Sequence, residues 1–495
     1  VDPTKTLDID PVKIEQEVIR ACRDWKDEFR DRLLESMGEA QATDVLAHLG
    51  EGFPAGYSDR FPPATGGVDL QTMLGLTAEQ PLAMSFYQPL EQKPGILHCK
   101  LYHLSDPLPL SDVIPILENL GLRVLGEFPF HIAQQNGPSF WIHDFEFTFA
   151  ANASLDIHEA NDLFREAFTA IWSGHAENDA FNRLVLLASL PWRDVSLLRA
   201  YARYLKQIRL GFELPYIAST LIAHADIARE LVRLFRTRFY LARKLNAGDL
   251  DEMQQKLEQA ILNALDNVAV LNEDRILRRY LDLIKATLRT NFYQPDAEGE
   301  AKEYLSLKFD PSGIPELPLP RPMFEIFVYS PRVEGVHLRG GKVARGGLRW
   351  SDREEDYRTE VLGLVKAQQV KNAVIVPVGA KGGFVPRRLP VGGNRDEVQQ
   401  EAIACYKLFI QGLLDLTDNL VEGQVVPPVN VVRHDADDPY LVVAADKGTA
   451  TFSDIANGIA AGYGFWLGDA FASGGSAGYD HKKMGITTKG AWGSV

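Results

Sequence analysis

Hydrophobic residues in the first 79 positions recur at helical spacing and then give way to a turn-rich stretch. Between residues 11 and 50, apolar side chains lie three or four positions apart, which predicts an amphipathic helix. Residues 51–79 are rich in Gly, Pro and Asp and predict a connector with a short helical patch near 70–76. We therefore expect residues 1–79 to form a helical segment and a connector.

The pattern changes between residues 80 and 175, where runs of alternating apolar and polar side chains are separated by helical periods. The predicted order is strand, helix, strand, strand, helix. The segments are 96–104, 110–122 with a cap near Ser111, 123–133, 140–150 and 158–172. This order is that of a ferredoxin-like α+β unit and resembles an ACT regulatory domain. The residues alone leave open whether the unit binds a ligand or serves as a structural layer.

Two further regions complete the predicted fold. Residues 176–310 form a helical region in which four stretches show the 3.6-residue period: 197–212, 225–245, 250–268 and 271–293. From 311 to 495, Gly-rich turns separate β-branched runs from helical segments, which favours an α/β layer with buried strands. The predicted strands are 323–331, 373–378, 425–432 and 440–445, and the helices are 353–371, 395–416 and 452–470. The expected fold class is therefore multidomain, α+β and α/β.

Composition and charge narrow the classes of function. The 495 residues include 52 Lys and Arg against 67 Asp and Glu, and the net charge of −15 argues against nucleic acid as a partner. No apolar run approaches the ~18 residues of a membrane helix, and the N-terminus shows no secretory signal. The three cysteines, Cys22, Cys99 and Cys405, are too far apart for a disulfide framework or a CxxC zinc site, so we expect a cytoplasmic protein. The histidines lack metal-ligand spacing, and no metal is expected.

Candidate chemistry is concentrated in three stretches of the last region, 345–353, 370–384 and 444–454. Lys381 stands among glycines after an apolar run, and a lysine held in such a turn loses water, which favours proton-transfer chemistry. Asp446 follows four apolar residues, at the carboxyl end of a strand where α/β enzymes place catalytic groups. The residues alone leave plainer interpretations open, namely a solvated lysine in a glycine turn and an aspartate that caps a helix or a turn.

Together these stretches resemble the substrate domain of glutamate dehydrogenases, most of all the large-subunit NAD-specific bacterial class. In that family a K-G-G-x-R motif leads through a helix to a lysine, then to a P-x-G-G-x-K-G-G loop and a P-A-x-D-x-G segment. The counterparts here are Arg345-Gly346-Gly347-Leu348-Arg349, Lys371, Pro377-Val378-Gly379-Ala380-Lys381-Gly382-Gly383 and Ala444-Ala445-Asp446-Lys447-Gly448. Residues 474–492 resemble the GGS…TGxG stretch that leads into the family's cofactor domain. The direct match covers residues of about 320–495.

The resemblance implies a role for each matching residue. Lys381 corresponds to the catalytic lysine, which activates the water that adds to or leaves the iminium carbon. Asp446 corresponds to the catalytic aspartate, which shuttles a proton to and from the substrate nitrogen. Lys371 matches the lysine that binds the α-carboxylate, and Arg345 stands where the family has a lysine for the distal carboxylate. Because an arginine can pair bidentately, we expect the distal contact to differ in geometry.

Two more positions follow from the same resemblance, and two departures limit it. Gly346 would let the backbone approach the substrate, and Thr487 is assigned to substrate binding. The spacing from Lys371 to Lys381 is ten positions, slightly shorter than in the common hexameric class. The sequence contains no strand–GxGxxG–helix segment, so we expect a central fragment of a longer protein that is truncated before its NAD-binding domain.

The resemblance implies an oxidoreductase that converts L-glutamate and NAD to 2-oxoglutarate, ammonium and NADH in the parent protein. The implied domains are 1–79 helical, 80–175 ACT-like, 176–310 helical and 311–495 catalytic. A homo-oligomer and an amino-acid effector at the ACT-like domain are also expected. The alternative is a regulatory or assembly module that binds amino acids without catalysis of its own.

Overall fold

The computed structural model describes residues 24–88, 96–149, 157–240, 247–369, 378–446, 448–449, 451–473 and 485–495. The chain divides at Ile157 into two compact units, 1–157 and 158–495. Each unit has its own hydrophobic core. Helices and sheets in both units confirm the multidomain α+β and α/β fold class.

The described residues of the first unit begin with four helices, α1 Trp25–Met37, α2 Glu39–Leu49, α3 Ala55–Arg60 and α4 Pro63–Leu74. The helix predicted over 11–50 is therefore wrong as one element: it is interrupted at Gly38, whose φ of +80° is a conformation that favours glycine. Residues 11–23 of that prediction lie outside the described residues. The expected connector is largely helical because Pro63 starts α4 at its first position and buried Gly66 lets α4 approach the Trp25 ring.

A four-stranded antiparallel sheet follows in the order β1-β2-β4-β3. Its elements are β1 Leu82–Tyr87, β2 Ile96–Leu104, α5 Leu110–Asn119, β3 Leu122–Ile132 and β4 Phe140–Phe149. The three predicted strands are confirmed, whereas β1 was not predicted and supplies an edge beside β2. Ser111 is not the cap of α5, because Pro109 holds the N-cap position and Ser111 lies in the first turn.

The second unit opens with helices and a short 3-10 turn. The helices are α6 Ile157–Trp172, α7 Arg183–Leu187, α8 Trp192–Gln207, α9 Leu214–Ala223, α10 Ala225–Phe239, α11 Ala247–Leu265 and α12 Leu271–Ala286. The helix predicted over 271–293 ends at Ala286 because the next four residues form a strand that pairs with 305–309. Pairing across a sheet thus overrides the local helical period at this point.

An eight-stranded mixed sheet forms the rest of the unit, in the order β14-β13-β9-β10-β8-β7-β6-β5. The strands are β5 Thr287–Thr290, β6 Leu305–Phe309, β7 Phe324–Tyr329, β8 Val333–Arg339, β9 Ala344–Trp350, β10 Val378–Pro386, β13 Val442–Ala445 and β14 Ala472–Ser473. The helices are α13 Tyr357–Gln369, α14 Arg395–Leu414, α15 Ser453–Gly462 and α16 Ile486–Ser494. Strands β5 to β8 and β10 pair antiparallel, whereas β10, β9, β13 and β14 pair parallel.

Two of the predicted strands of this region need separate comment. The strand predicted over 425–432 is wrong: only Gln424–Val426 (β12) pairs, with Asn419–Val421 (β11), because the prolines at 427 and 428 cannot donate a backbone hydrogen bond. Most of the strand predicted over 373–378 lies outside the described residues. Within the part of the chain that is described, no helix is long and apolar enough to cross a membrane.

The two faces of this sheet are covered by different helices, and this arrangement determines where side chains of β9 and β10 point. A Cβ at Gly383 would lie 2.7 Å from Val361 of α13, whereas a Cβ at Gly335 would lie 2.5 Å from Phe409 of α14. Because successive residues of a strand point to opposite faces, Lys381 shares the α13 side with Gly383.

Candidate active site

Lys381 lies in the middle of β10, between two paired strands. It stands opposite Leu338 of β8, and its neighbours Gly379 and Gly382 pair with β9. The predicted glycine turn is therefore wrong: the glycines belong to a strand and serve close packing. A Cβ at Gly382 would lie 2.4 Å from Leu348. The result is a lysine held by strands on both sides rather than by a loop.

Asp446 directly follows β13 and begins a tight turn. The backbone N–H of Thr449 donates to the Asp446 carbonyl at 3.2 Å, and the Asp446 N–H donates to the Thr449 hydroxyl at 3.1 Å. Gly448 has a φ of +82°, which a turn of this kind requires. The Thr449 hydroxyl donates to the Leu348 carbonyl at 2.7 Å and so ties the turn to β9.

The fold brings Lys381 and Asp446 together from positions 65 residues apart. The Lys381 Nζ lies 3.3 Å from the Asp446 Oδ2, and the two side chains are 17% and 20% exposed. Both side chains are therefore mostly buried, and each keeps some surface that a ligand can contact. A lysine and a carboxylate at this distance can exchange protons with a bound substrate.

Arg349, Ser351 and Glu360 extend this pair, and the sequence motifs predicted a role for none of them. Arg349 donates from Nη2 to the Asp446 Oδ1 at 3.3 Å and from Nη1 to the Glu360 Oε1 at 2.8 Å. The Ser351 hydroxyl donates to the Glu360 Oε2 at 2.6 Å. Arg349 could have been found as the last residue of the R-G-G-L-R motif, whereas Glu360 carries no local signal beyond its place in the first turn of α13.

The ion pairs favour the charged form of Arg349 and of Glu360. The hydrogen bond to Glu360 raises the pKa of Arg349 in spite of partial burial, with a further contribution from Asp446. Burial alone would raise the pKa of Glu360, but hydrogen bonds from Ser351 and Arg349 outweigh it and lower the pKa.

Arg345 and Gly346 lie near the start of β9. Arg345 is exposed and pairs with Gly379 on one side and Val442 on the other, and strand alternation places it on the same face as Arg349. Gly346 faces the other way, where a Cβ would lie 1.4 Å from the Ala380 carbonyl oxygen. Close contact between β9 and β10 is therefore a packing reason for glycine at 346.

Two predicted site residues cannot be located in the same way. Lys371 lies outside the described residues. Thr487 belongs to α16, and its side chain lies outside the described part of the structure. Among the described residues, no group of three or more His, Cys, Asp or Glu side chains could hold a metal ion.

Comparison with known families gives matches along most of the chain. Residues 260–495 match the family described as bacterial NAD-glutamate dehydrogenase, catalytic domain. Residues 81–160 match the glutamate dehydrogenase ACT3 domain. Two helical motifs of glutamate dehydrogenases match as well, motif 2 at 32–76 and motif 3 at 176–241.

Curated relatives point in the same direction. The chain is 74% identical over 495 residues to the NAD-specific glutamate dehydrogenase of Pseudomonas aeruginosa. Proteins of the same name from Halomonas elongata and Mycobacterium tuberculosis are 56% and 46% identical, over 99% and 100% of the chain. The chain spans 31%, 30% and 31% of the length of these three relatives.

Proposed function

The chain belongs to the family of bacterial NAD-specific glutamate dehydrogenases, and from this premise we propose its function. It supplies substrate-binding and proton-transfer residues for the oxidative deamination of L-glutamate to 2-oxoglutarate and ammonium in the parent protein. The observation that carries the proposal is the 3.3 Å contact between Lys381 and Asp446 on the α13 side of the sheet.

Each of the two residues has one task in this proposal. Asp446 accepts a proton from the substrate ammonium, so that the nitrogen lone pair becomes available, and later returns a proton to the departing ammonia. Lys381 activates the water that attacks the iminium carbon, and in its neutral amine form it takes the proton that this water releases. The low exposure of both side chains strengthens their interactions with a bound substrate, because bulk water screens them less.

Recognition of glutamate requires cations at both ends of the substrate. Exposed Arg345 is assigned to the distal carboxylate and Lys371 to the α-carboxylate, with Gly346 and Thr487 as further substrate contacts. Two charge-assisted contacts fix the orientation of a dicarboxylate as well as its affinity. An apolar amino acid such as leucine has no distal carboxylate to pair with Arg345. Leucine is therefore the substrate that tests whether this contact is required.

NAD is the proposed hydride acceptor, and we assign no residue of the chain to it. When bound, NAD would supply the acceptor for the hydride that leaves the substrate Cα. Among the described residues, the turns that follow β9, β10 and β13 lack the GxGxxG spacing of a dinucleotide site. The residues described here therefore fit the amino-acid half of the reaction.

The test is NADH formation by the full-length protein with L-glutamate and, alongside, L-leucine. We expect turnover with glutamate only, and we expect Lys381→Ala and Asp446→Asn to lower kcat by about 10³-fold with the fold intact. Exposed Lys366→Ala and Asp469→Asn are matched controls that should keep wild-type rates. Retained turnover in either site variant would remove that residue from the proposal.

The remaining proposals concern the effector, the oligomeric state, the domain boundaries and the location of the protein. We infer an amino-acid effector at the ACT-like domain, a homo-oligomer, and the four-domain division at 79, 175 and 310. A cytoplasmic location is supported by the free, buried thiols Cys99 and Cys405. The catalytic-domain match over 260–495 does not favour the alternative of a binding module without catalysis.

A further inference from the structure

A network of hydrogen-bonded side chains leads from Ser351, just after β9, through Glu360 in the first turn of α13 to the Lys381–Asp446 pair. It runs from Ser351 to Glu360, then to Arg349, and from there to Asp446. The contacts shorten away from the reacting groups: the two at Asp446 are 3.3 Å, whereas those at Glu360 are 2.8 and 2.6 Å. The hydrogen bonds at Glu360 are thus shorter than the two contacts at Asp446.

The charges of these hydrogen-bonded side chains alternate in sign. Glu360 and Asp446 are negative, and Arg349 and Lys381 are positive, so the four groups sum to zero. Glu360 also lies at the N-terminus of α13, where the helix dipole favours a negative charge. Because Arg349 stands between two carboxylates, the charge of Glu360 decides how strongly Arg349 acts on Asp446.

We propose that Glu360 is a positioning residue of the catalytic pair. It holds the Arg349 guanidinium, which in turn orients Asp446 Oδ1 and leaves Oδ2 for Lys381 and the substrate nitrogen. Glu360 also neutralises Arg349, so that Asp446 keeps enough proton affinity to accept a proton from the substrate. The inference rests on the proposed function for its catalytic meaning, while the electrostatic coupling can be measured without turnover.

The other charged groups near this network of side chains are the same in the wild type and in every Glu360 variant. Arg353, from the segment between β9 and α13, acts on Glu360 and is itself paired with Asp356 at 2.8 Å. From the sheet side, Arg349 of β9 and Lys381 of β10 face Asp446. Lys447 lies outside the described residues and is unchanged in every variant used.

The first experiment is competitive labelling of Lys381 with acetic anhydride in the full-length protein, followed by mass spectrometry across pH. In Glu360→Gln the cluster gains one positive charge, so half-maximal labelling of Lys381 should occur about 0.5–1 pH unit lower. Glu360→Asp keeps the negative charge and should restore most of the wild-type midpoint. An unchanged midpoint in Glu360→Gln would overturn the proposal.

The matched control is Glu401→Gln on α14. Glu401 also pairs with one arginine through two hydrogen bonds, of 3.1 and 2.7 Å to Arg332, but it belongs to the helix on the other face of the sheet. The Glu401→Gln variant should leave the labelling of Lys381 unchanged. An equal shift in this control would mean that loss of any such pair disturbs the site, and the proposal would fall.

Turnover supplies the second readout. In Glu360→Gln the acid limb of the kcat profile should move to lower pH by a similar amount, and kcat should fall with little change in KM. If the wild-type protein does not oxidise glutamate, the proposed function fails, whereas the labelling result still decides whether Glu360 and Lys381 are coupled.

If Glu360→Gln does not fold, Ser351→Ala replaces it, because this variant frees one Glu360 oxygen without a change of charge. A lower kcat at constant KM supports the proposal, and an unchanged kcat overturns it.

Discussion

Gly346 shows how one residue controls the spacing of the strands that carry the site. The Ala380 carbonyl lies where the Cβ of any other residue would be, at 1.4 Å. Ala380 is the neighbour of Lys381, so a displaced Ala380 would displace the lysine as well. A glycine at this position therefore sets the distance between β9 and β10 and indirectly the reach of Lys381.

We predict that Gly346→Ala lowers the free energy of unfolding by about 3 kcal/mol and abolishes turnover, because β9 and β10 must separate. The control is Gly363→Ala on α13, where a Cβ meets nothing within 4 Å. Alanine there should raise the free energy of unfolding by about 0.5–1 kcal/mol, since glycine is unfavourable inside a helix. Urea unfolding of both variants measures the difference, and equal stability of the two would contradict the packing argument.

At the scale of elements, Glu177 connects the segment between α6 and α7 to the sheet. Its carboxylate accepts hydrogen bonds from Arg387, which follows β10, from Arg203 of α8 and from the Tyr329 hydroxyl of β7, at 2.5, 2.7 and 2.6 Å. Burial alone would raise the pKa of Glu177, but Arg387 and Arg203 outweigh it and lower the pKa to about 2. The strand that carries Lys381 is therefore anchored at its end by a buried ion pair.

We predict that Glu177→Gln destabilises the chain by about 3 kcal/mol at neutral pH, because Arg387 and Arg203 lose a buried counter-charge. The folded-state pKa of about 2 lies below the ordinary value of 4.5, so the stabilisation is fully present above about pH 4.5 and is lost as the pH falls toward 2. Denaturation measured as a function of pH should show that the free energies of unfolding of Glu177→Gln and of the wild type converge in that range. Exposed Glu355→Gln is the control and should change stability little at any pH. If Glu177→Gln were still less stable than the wild type at pH 2, the stabilisation would not come from the ionised Glu177 carboxylate.

At the scale of the whole molecule, the two compact units have separate cores. The first contains Phe29, Tyr57 and Ile142 among its buried residues, and the second contains Phe384 and Phe409. A unit with its own core has the means to fold without the other.

We predict that residues 158–495 expressed alone fold and give a cooperative thermal transition, because the core and the Lys381–Asp446 contact lie inside this unit. Calorimetry of the fragment beside the whole chain measures this. The transition of the fragment should coincide with one transition of the whole chain within a few degrees. A fragment that is unfolded would show that its core depends on residues 24–149.

The sequence by itself determined the elements whose side chains repeat with one local period. Strands at 96–104 and 140–149, most helices and the fold class follow from spacing within single segments, because a half-buried strand or helix must present one apolar face. The motifs around Lys381 and Asp446 likewise identified the family from the residues alone. Their catalytic roles stay predictions.

Only the tertiary structure decided which distant residues meet. Lys381 lies in a paired strand rather than a turn, helix 271–286 gives way to a strand at Thr287, and Arg349 links Glu360 to Asp446. None of these follows from a local period, because each depends on the order and register of strands that are far apart in the sequence. Side chains 65 or 97 positions apart become neighbours only when β10, β9 and β13 are paired in one sheet.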